Sequence, residues 1–233
     1  MNLRSIAGLL VPEKPFADPV RNEGASCLEI DNWIISRFVV ERLLPVVGFH
    51  PFPLNELMLM TTAVCRIRPS HIFEWGTNVG VSARIFYEIC RAFPPGCQIH
   101  SVDLPDHERH KEHPGKQRGR LVRGIAQVKL HQGDGLDVAL SIIAAETSLI
   151  RPLFFLDGDH SYQSVRRELT AIIRAVPRAG ILIHDTFYQS EESGYNTGPY
   201  RAVQDVLREN GALFEVTSQD IGLPGMTLLR NRM

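Results

Sequence analysis

The chain has 233 residues, a formal net charge of −1 and 44% hydrophobic residues. That is enough for one large α/β domain with an extension, and the balanced charge excludes a global pull toward nucleic acid or an anionic membrane surface. No apolar run approaches the ~20 residues that span a bilayer, and Met1–Pro12 is too short and broken for a signal peptide, so a cytoplasmic protein without membrane or nucleic-acid partners is expected.

Residues 1 to about 30 are rich in Pro, Gly and polar residues and read as an irregular arm. Asp31 is placed to cap a helix carrying Ile34, Ile35, Phe38, Val39 and Leu43 that ends before Pro45. After a Gly/Pro loop, a second helix carries Leu54, Leu57, Met58, Thr61, Val64 and Cys65, and Pro69 stops it. The expected division is an arm and helical extension at 1–53 and a main domain at 54–233. The extension would pack on the body or on a partner subunit, which makes a homodimer plausible. Trp33 reads as a packing residue. The four cysteines form no CxxC pair, and they read as reduced thiols.

From His71 onward strands and helices alternate, which argues a parallel sheet with helices on both faces. Strands are predicted at 71–75, 98–102, 127–131, 153–156 and 181–184. Two final runs, 214–217 and 226–229, are joined by a short Gly/Pro loop and predict a hairpin at the sheet edge. In open parallel sheets ligands bind beyond the carboxyl ends of the strands, so the residue closing each strand matters most.

Strand one ends His71-Ile72-Phe73-Glu74-Trp75-Gly76-Thr77-Asn78-Val79-Gly80-Val81-Ser82. An acid, two glycines and then a helical pattern (Ile85, Phe86, Ile89, Cys90, Phe93) read as strand, tight turn, helix. Gly76 permits a sharp turn and close approach of a ligand, and the free N–H groups of the helix start favour a polar or anionic group. The pattern E-x-G-x-x-x-G departs from the dinucleotide GxGxxG, which argues against a nicotinamide oxidoreductase. At this motif the sequence resembles the class I S-adenosylmethionine (SAM) dependent methyltransferases, whose first motif is an acid followed by G-x-G-x-G. Asn78 stands where the middle glycine usually falls. The resemblance implies a Rossmann-like, mostly parallel seven-stranded sheet with a C-terminal antiparallel hairpin. It also implies a SAM site built from Glu74, Gly76, Thr77, Asn78, Gly80 and Ser82.

Strand two ends at Asp103, whose carboxylate suits the two hydroxyls of a ribose. The loop after it, Asp106 to His113, contains three histidines but mixed charges, and reads as a solvated loop rather than a zinc site. Strand three ends in Gly133-Asp134-Gly135, and the resemblance gives Asp134 the adenine amino group.

Strand four closes in Asp157-Gly158-Asp159-His160-Ser161-Tyr162, and strand five in His184-Asp185-Thr186. Adjacent strands would bring Asp157 and Asp185 together, and facing carboxylates repel unless a proton or cation lies between them. A hard divalent ion such as Mg²⁺ would resolve this, with Asp157, Asp185 and His184 as ligands. The two motifs look like those of a methyltransferase branch that includes macrolide sugar O-methyltransferases and the proteins named for cephalosporin hydroxylase. Catechol O-methyltransferase and similar enzymes hold Mg²⁺ with the strand-four acid and an Asp-Asn after strand five, where this chain has His184-Asp185.

His160 suits a general base at neutral pH, with Asp157 beside it in the catalytic group and Asp159 orienting it or capping the next helix. The polar loop from Tyr188 to Tyr200, with Tyr188, Tyr195 and Asn196, lies where an acceptor would bind. The expected function is therefore SAM-dependent O-methylation of a hydroxylated small molecule, a sugar, natural product or catechol. The alternative is a SAM-binding subunit or sensor without catalysis. A nucleic-acid methyltransferase is disfavoured because no basic stripe accompanies the site.

Overall fold

The computed structural model describes residues 16–94, 96–108, 110, 114–146, 151–193 and 195–232. The expectations for Met1–Pro12 and for much of the histidine loop lie outside these. Asp31 caps α1 (Asn32–Phe38), accepting from the N–H groups of Trp33 and Ile34. The helix does not stop before Pro45. A π-helical turn at Val39–Leu43 lets the Leu44 N–H reach back to the Val39 carbonyl, and α2 (Leu44–Val47) follows directly. Pro45 is the second residue of α2, inside this continuous run. The helix α3 (Leu54–Ile67) ends at Arg68, which adopts a left-handed backbone, one residue before Pro69.

The body runs β1 (His71–Trp75), α4 (Val81–Ala92), β2 (Gln98–Asp103), β3 (Val128–Gln132), α5 (Gly135–Ala145), β4 (Pro152–Leu156), α6 (Tyr162–Ala175), β5 (Gly180–His184), α7 (Gly198–Asn210), β6 (Phe214–Gln219) and β7 (Met226–Asn231). The strands form one seven-stranded sheet in the order β3-β2-β1-β4-β5-β7-β6. The first five are parallel, and β7 runs antiparallel to both β5 and β6. The predicted strands and the terminal hairpin are thus present, with ends moved by a residue or two.

Successive residues of each strand feed opposite cores. One face, with Ile72, Phe155, Leu182 and Leu228, packs on α3, α4 and the extension residues Ile35, Phe38, Val39 and Leu43. The other, with Phe73, Trp75, Phe154, Ile181 and Leu229, packs on α5, α6 and α7. Strands β4 and β5 are buried along their whole length, as central parallel strands must be. The extension therefore shares its core with the body. No described helix is long and apolar enough to cross a membrane.

The cysteine reading needs one correction. Cys90, near the end of α4, and Cys97, just before β2, form a disulfide with Cα atoms 6.2 Å apart. The two cysteines are seven residues apart in sequence and lie within the span a disulfide accepts. Cys27 and Cys65 are free, the former exposed and the latter buried.

Candidate active site

The strand order reverses between β1 and β4, which opens a crevice above their carboxyl ends. Gly76 leaves β1 with φ +97°, and a Cβ there would lie 2.2 Å from the Asp157 carbonyl oxygen. Only glycine lets the two strand tips approach this closely. Asn78 also has a left-handed backbone, φ +45°, which Asn tolerates better than most residues. Gly80, φ +91°, then opens α4.

The turn is braced from two sides. The Asp103 carboxylate accepts from the Asn78 N–H at 2.9 Å and from the Leu104 N–H at 2.8 Å. Below it, Ser101 donates to Glu74 at 2.5 Å and shares a 2.6 Å hydrogen bond with Thr77. Glu74 is buried, and burial raises its carboxyl to about 7 against the pull of the Ser101 and Ser82 hydroxyls. Glu74, Thr77 and Ser82 are all buried, so they shape the turn from beneath, whereas Asn78 is exposed above it. Ser101 escaped the sequence reading, although its place opposite Glu74 in the β1–β2 register was available once the strands were aligned.

Asp134 caps α5, accepting from the Asp137 N–H at 3.1 Å, and its other oxygen meets Arg167 at 2.7 Å. Burial pushes its carboxyl up, but Arg167 and the backbone donors hold it below its ordinary value. Trp75 lies between Gly135 and Gly158, where a Cβ would come within 2.5 and 2.8 Å of the indole respectively. The tips of β1, β4 and the β3–α5 turn are therefore fitted to one another.

The second constellation lies at the ends of β4 and β5. His184 meets Asp157 Oδ1 through Nδ1 at 2.8 Å and Glu56 Oε2 through Nε2 at 3.1 Å. His160 Nδ1 meets Asp185 Oδ2 at 2.8 Å, and the Asn196 amide donates to the same oxygen at 2.7 Å. His160 Nε2 is 3.9 Å from Asp157 Oδ1, too far for a hydrogen bond. Asp185 holds a left-handed backbone, φ +57°, an uncommon conformation for a residue that is not glycine. Burial works against the charge on His184, but Asp157, Glu56 and Asp185 outweigh it and lift the imidazole to about 10. Burial likewise opposes charge on His160, and Asp185 and Asp157 more than compensate, raising it. Asp185 is pushed up by burial and brought below its ordinary value by His160 and His184.

The structure thus brings together Asp157, His160, His184 and Asp185, as predicted, and adds Glu56, which the sequence reading missed. Its signal was an acid on the buried stripe of α3 with Met60 and Val64. Asp159 serves the helix: it accepts from the Ser161 N–H and from the hydroxyls of Ser161 and Ser164. The geometry argues against the expected role of His184 as a metal ligand. A ligating imidazole offers a lone pair, and both His184 nitrogens face carboxylates. Asp185 Oδ1 is buried without a hydrogen-bond partner, yet among the described residues no group of three His, Cys, Asp or Glu is arranged to hold a metal. The donor set does not fit the expected Mg²⁺ site, because histidines already balance the two acids.

A cavity of about 370 Å³ adjoins the end of β5, lined by Thr186, Tyr188, Tyr200, Gln204, Ser218 and Asp220 among others. Tyr188 and Tyr200, with ring centroids 5.2 Å apart, also line a neighbouring cavity of about 290 Å³.

Residues 52–222 match the family model described as rhamnosyl O-methyltransferase/CmcI. No curated protein sequence matches the chain. Among solved structures, the O-methyltransferase from Bacillus cereus in complex with SAH is 14% identical, with TM-score 0.55, covering 84% of this chain and 90% of that one. The O-methyltransferase TomG from Streptomyces achromogenes, involved in tomaymycin synthesis and solved with SAM, is 18% identical, with TM-score 0.54 and coverage of 84% and 87%. CalS11, a TDP-rhamnose 3'-O-methyltransferase of calicheamicin biosynthesis, is 16% identical, with TM-score 0.52 and coverage of 83% and 86%. At these identities the likeness is one of fold.

Proposed function

The chain belongs to the rhamnosyl O-methyltransferase/CmcI family and is a SAM-dependent O-methyltransferase by that membership, and we propose that its acceptor is a hydroxylated small molecule bound over the ends of β4 and β5. In this reading SAM lies in the crevice above β1, β2 and the β3–α5 turn. The backbone of Gly76 to Gly80 faces its amino-acid part, Asp103 takes the ribose hydroxyls and Asp134 the adenine amino group. Each Asp103 oxygen already accepts one backbone N–H and keeps a lone pair for a hydroxyl. Glu74, Thr77 and Ser82 hold the turn in shape.

The sulfonium of SAM carries an activated methyl group, so the protein needs only to align an acceptor oxygen and accept its proton. His160 is placed for the second task. Asp185 accepts a hydrogen bond from Nδ1–H and stays ionised, which fixes the tautomer with its lone pair on Nε2. As the acceptor O–CH₃ bond forms and the S–CH₃ bond breaks, the hydroxyl proton passes to Nε2, giving a methyl ether, SAH and a histidinium paired with Asp185. The carrying observation is the Asp185–His160 pair at the tips of two neighbouring strands. The reacting hydroxyl sits at His160 Nε2, and the rest of a sugar, natural product or catechol extends toward the cavity beginning at Thr186, whose lining does not itself include Asp157, His160 or Asp185.

No step runs through Mg²⁺. The one observation in favour of a cation is the unpartnered Asp185 Oδ1, and a ligand set there would be the two acids alone. A homodimer remains part of this reading, from the apolar residues Trp33, Val40 and Phe49 exposed on the extension, while the Cys90–Cys97 disulfide stands against the expected cytoplasmic location. The test is transfer of label from methyl-labelled SAM to methyl α-L-rhamnopyranoside, 3,4-dihydroxybenzoate and a wider hydroxyl library, with EDTA present throughout. A labelled methyl ether formed in EDTA supports the reading. SAM binding without transfer to any hydroxyl replaces it with the sensor reading, and transfer that returns only with added Mg²⁺ restores the metal.

A further inference from the structure

We propose that Glu56, from the first turn of α3, is a positioning residue of the methyl-transfer reaction, acting through His184 on Asp157. The inference rests on the O-methyltransferase reading above for its kinetic consequence, and on geometry for the positioning itself. Glu56 is fully buried and 128 residues from His184 in the chain. A carboxyl is placed so deep only where its oxygens are satisfied. Both are: Oε1 accepts from the Gly225 N–H at 2.8 Å, and Oε2 meets His184 Nε2 at 3.1 Å.

Gly225 is itself fixed. It has φ +82°, a Cβ there would lie 2.5 Å from the Phe187 nitrogen, and its carbonyl accepts from the Thr186 N–H. Glu56 therefore joins three elements: α3, the start of β7 and the end of β5. The Phe52 ring, edge-on with its centroid 5.0 Å from that of His184, closes one side of the imidazole. With Nε2 tied to Glu56, the ring can turn only by breaking a buried hydrogen bond, so Nδ1 stays aimed at Asp157 Oδ1. Asp157 is the strand-four acid, with 18% of its side chain exposed at the tip and His160 Nε2 3.9 Å away. The line Glu56–His184–Asp157 fixes the carboxylate beside the base and gives α3 a part in the reaction centre.

The test compares the full wild-type chain with Glu56→Gln and Glu56→Ala. Gln keeps the size and an acceptor for Gly225 but loses the carboxylate facing His184. In ¹H–¹⁵N spectra of the imidazoles, the wild type is expected to show a hydrogen-bonded Nδ1 proton for His184, and Glu56→Gln to shift or lose it. In turnover, Glu56→Gln is expected to lower kcat ~10–100-fold, as for a misplaced reacting group, with KM for SAM and for the acceptor and Kd for SAH held within about twofold. The double variant Glu56→Gln/His184→Asn should be no worse than His184→Asn alone, because the two act in series. Unchanged Nδ1 resonance and unchanged kcat in Glu56→Gln, with normal SAH binding, would overturn the proposal. So would losses that merely follow the folded fraction in Glu56→Ala. If the wild type methylates no hydroxyl, the O-methyltransferase reading fails, and the spectra still decide whether Glu56 positions His184.

Discussion

At the scale of single residues, the two positions that carry most are Gly76 and His160. Gly76 was legible as a required glycine because it follows an acid at a strand end, but what it makes room for, the Asp157 carbonyl, appears only when β4 is laid beside β1. Gly76→Ala combines a left-handed backbone with a backbone clash, so a loss of about 1–3 kcal/mol in stability is expected from strain of this kind. Calorimetry should show SAH binding weakened at least tenfold in whatever folds; a variant with wild-type Tm and Kd would contradict the close approach. His160→Ala should lower kcat by about 10²–10⁴-fold, the usual contribution of a positioned base, with SAH binding unaffected. Because Asp185 raises the imidazole above its ordinary value, the base is protonated and idle at low pH. The rate should therefore climb with pH through a window displaced above 6.5, and the climb should disappear in His160→Ala.

Histidine 184 shows where residue-level reading ran out. Its place at a strand end beside an acid suggested a ligand. Its second nitrogen is taken by Glu56, and no local pattern announces a contact spanning 128 positions. Asp134 and Asp103 were legible as strand-end acids, while their present partners, Arg167 and the Asn78 N–H, come from elements far away in the chain.

At the scale of elements, the strands were readable because each is a short apolar run closed by turn residues, and burial on both faces explains why β4 and β5 lack alternation. The extension was less readable. A proline normally ends a helix, and the π turn that carries the chain past Pro45 depends on packing against α3 and α4. Strands β1 to β3 carry a feature with its own consequence. His71, His100 and His131 stack across the sheet with ring centroids 5.5 and 5.3 Å apart, and His100 Nδ1 is 3.1 Å from His131 Nε2. Burial, with some repulsion from His131, His71 and Lys129, lowers His100 to about 4. A folded value below the unfolded one near 6.5 means that the unfolded chain binds the proton first as pH falls. The stabilisation is complete above pH 6.5 and is lost between there and about 4, an effect of about 1–2 kcal/mol once partial solvent contact is allowed for. Thermal melts should show Tm falling across that window, and His100→Phe should flatten the fall. An unchanged slope in the variant would assign the acid sensitivity elsewhere.

At the scale of the molecule, one sheet separates two cores and lays its strand-end site residues along one edge, with Glu56 reaching them from α3. The five parallel strands point their carboxyl ends the same way, so Gly76, Asp103, Asp134, Asp157 and Asp185 line one edge although they span more than a hundred positions. The extension belongs to the same construction, since Phe38 is buried against Phe16 and Phe93 and shares a core with the β1–β5 face. Phe38→Ala should therefore cost about 3–5 kcal/mol in global unfolding, as for other large-to-small core changes, read as one cooperative transition at lower denaturant. A separate early transition would instead make the extension an independent unit.

In the proposed complex, the crevice above β1, β2 and the β3–α5 turn holds SAM with its methyl group turned toward His160. A crystal structure of the wild-type chain with SAH tests this placement most directly. Ribose hydroxyls on Asp103, the amino-acid part along Gly76 to Gly80 and the sulfur facing the His160–Asp185 pair are expected. SAH seated instead in the cavity between α7 and the β6–β7 hairpin, or with its sulfur pointing away from His160, would contradict it.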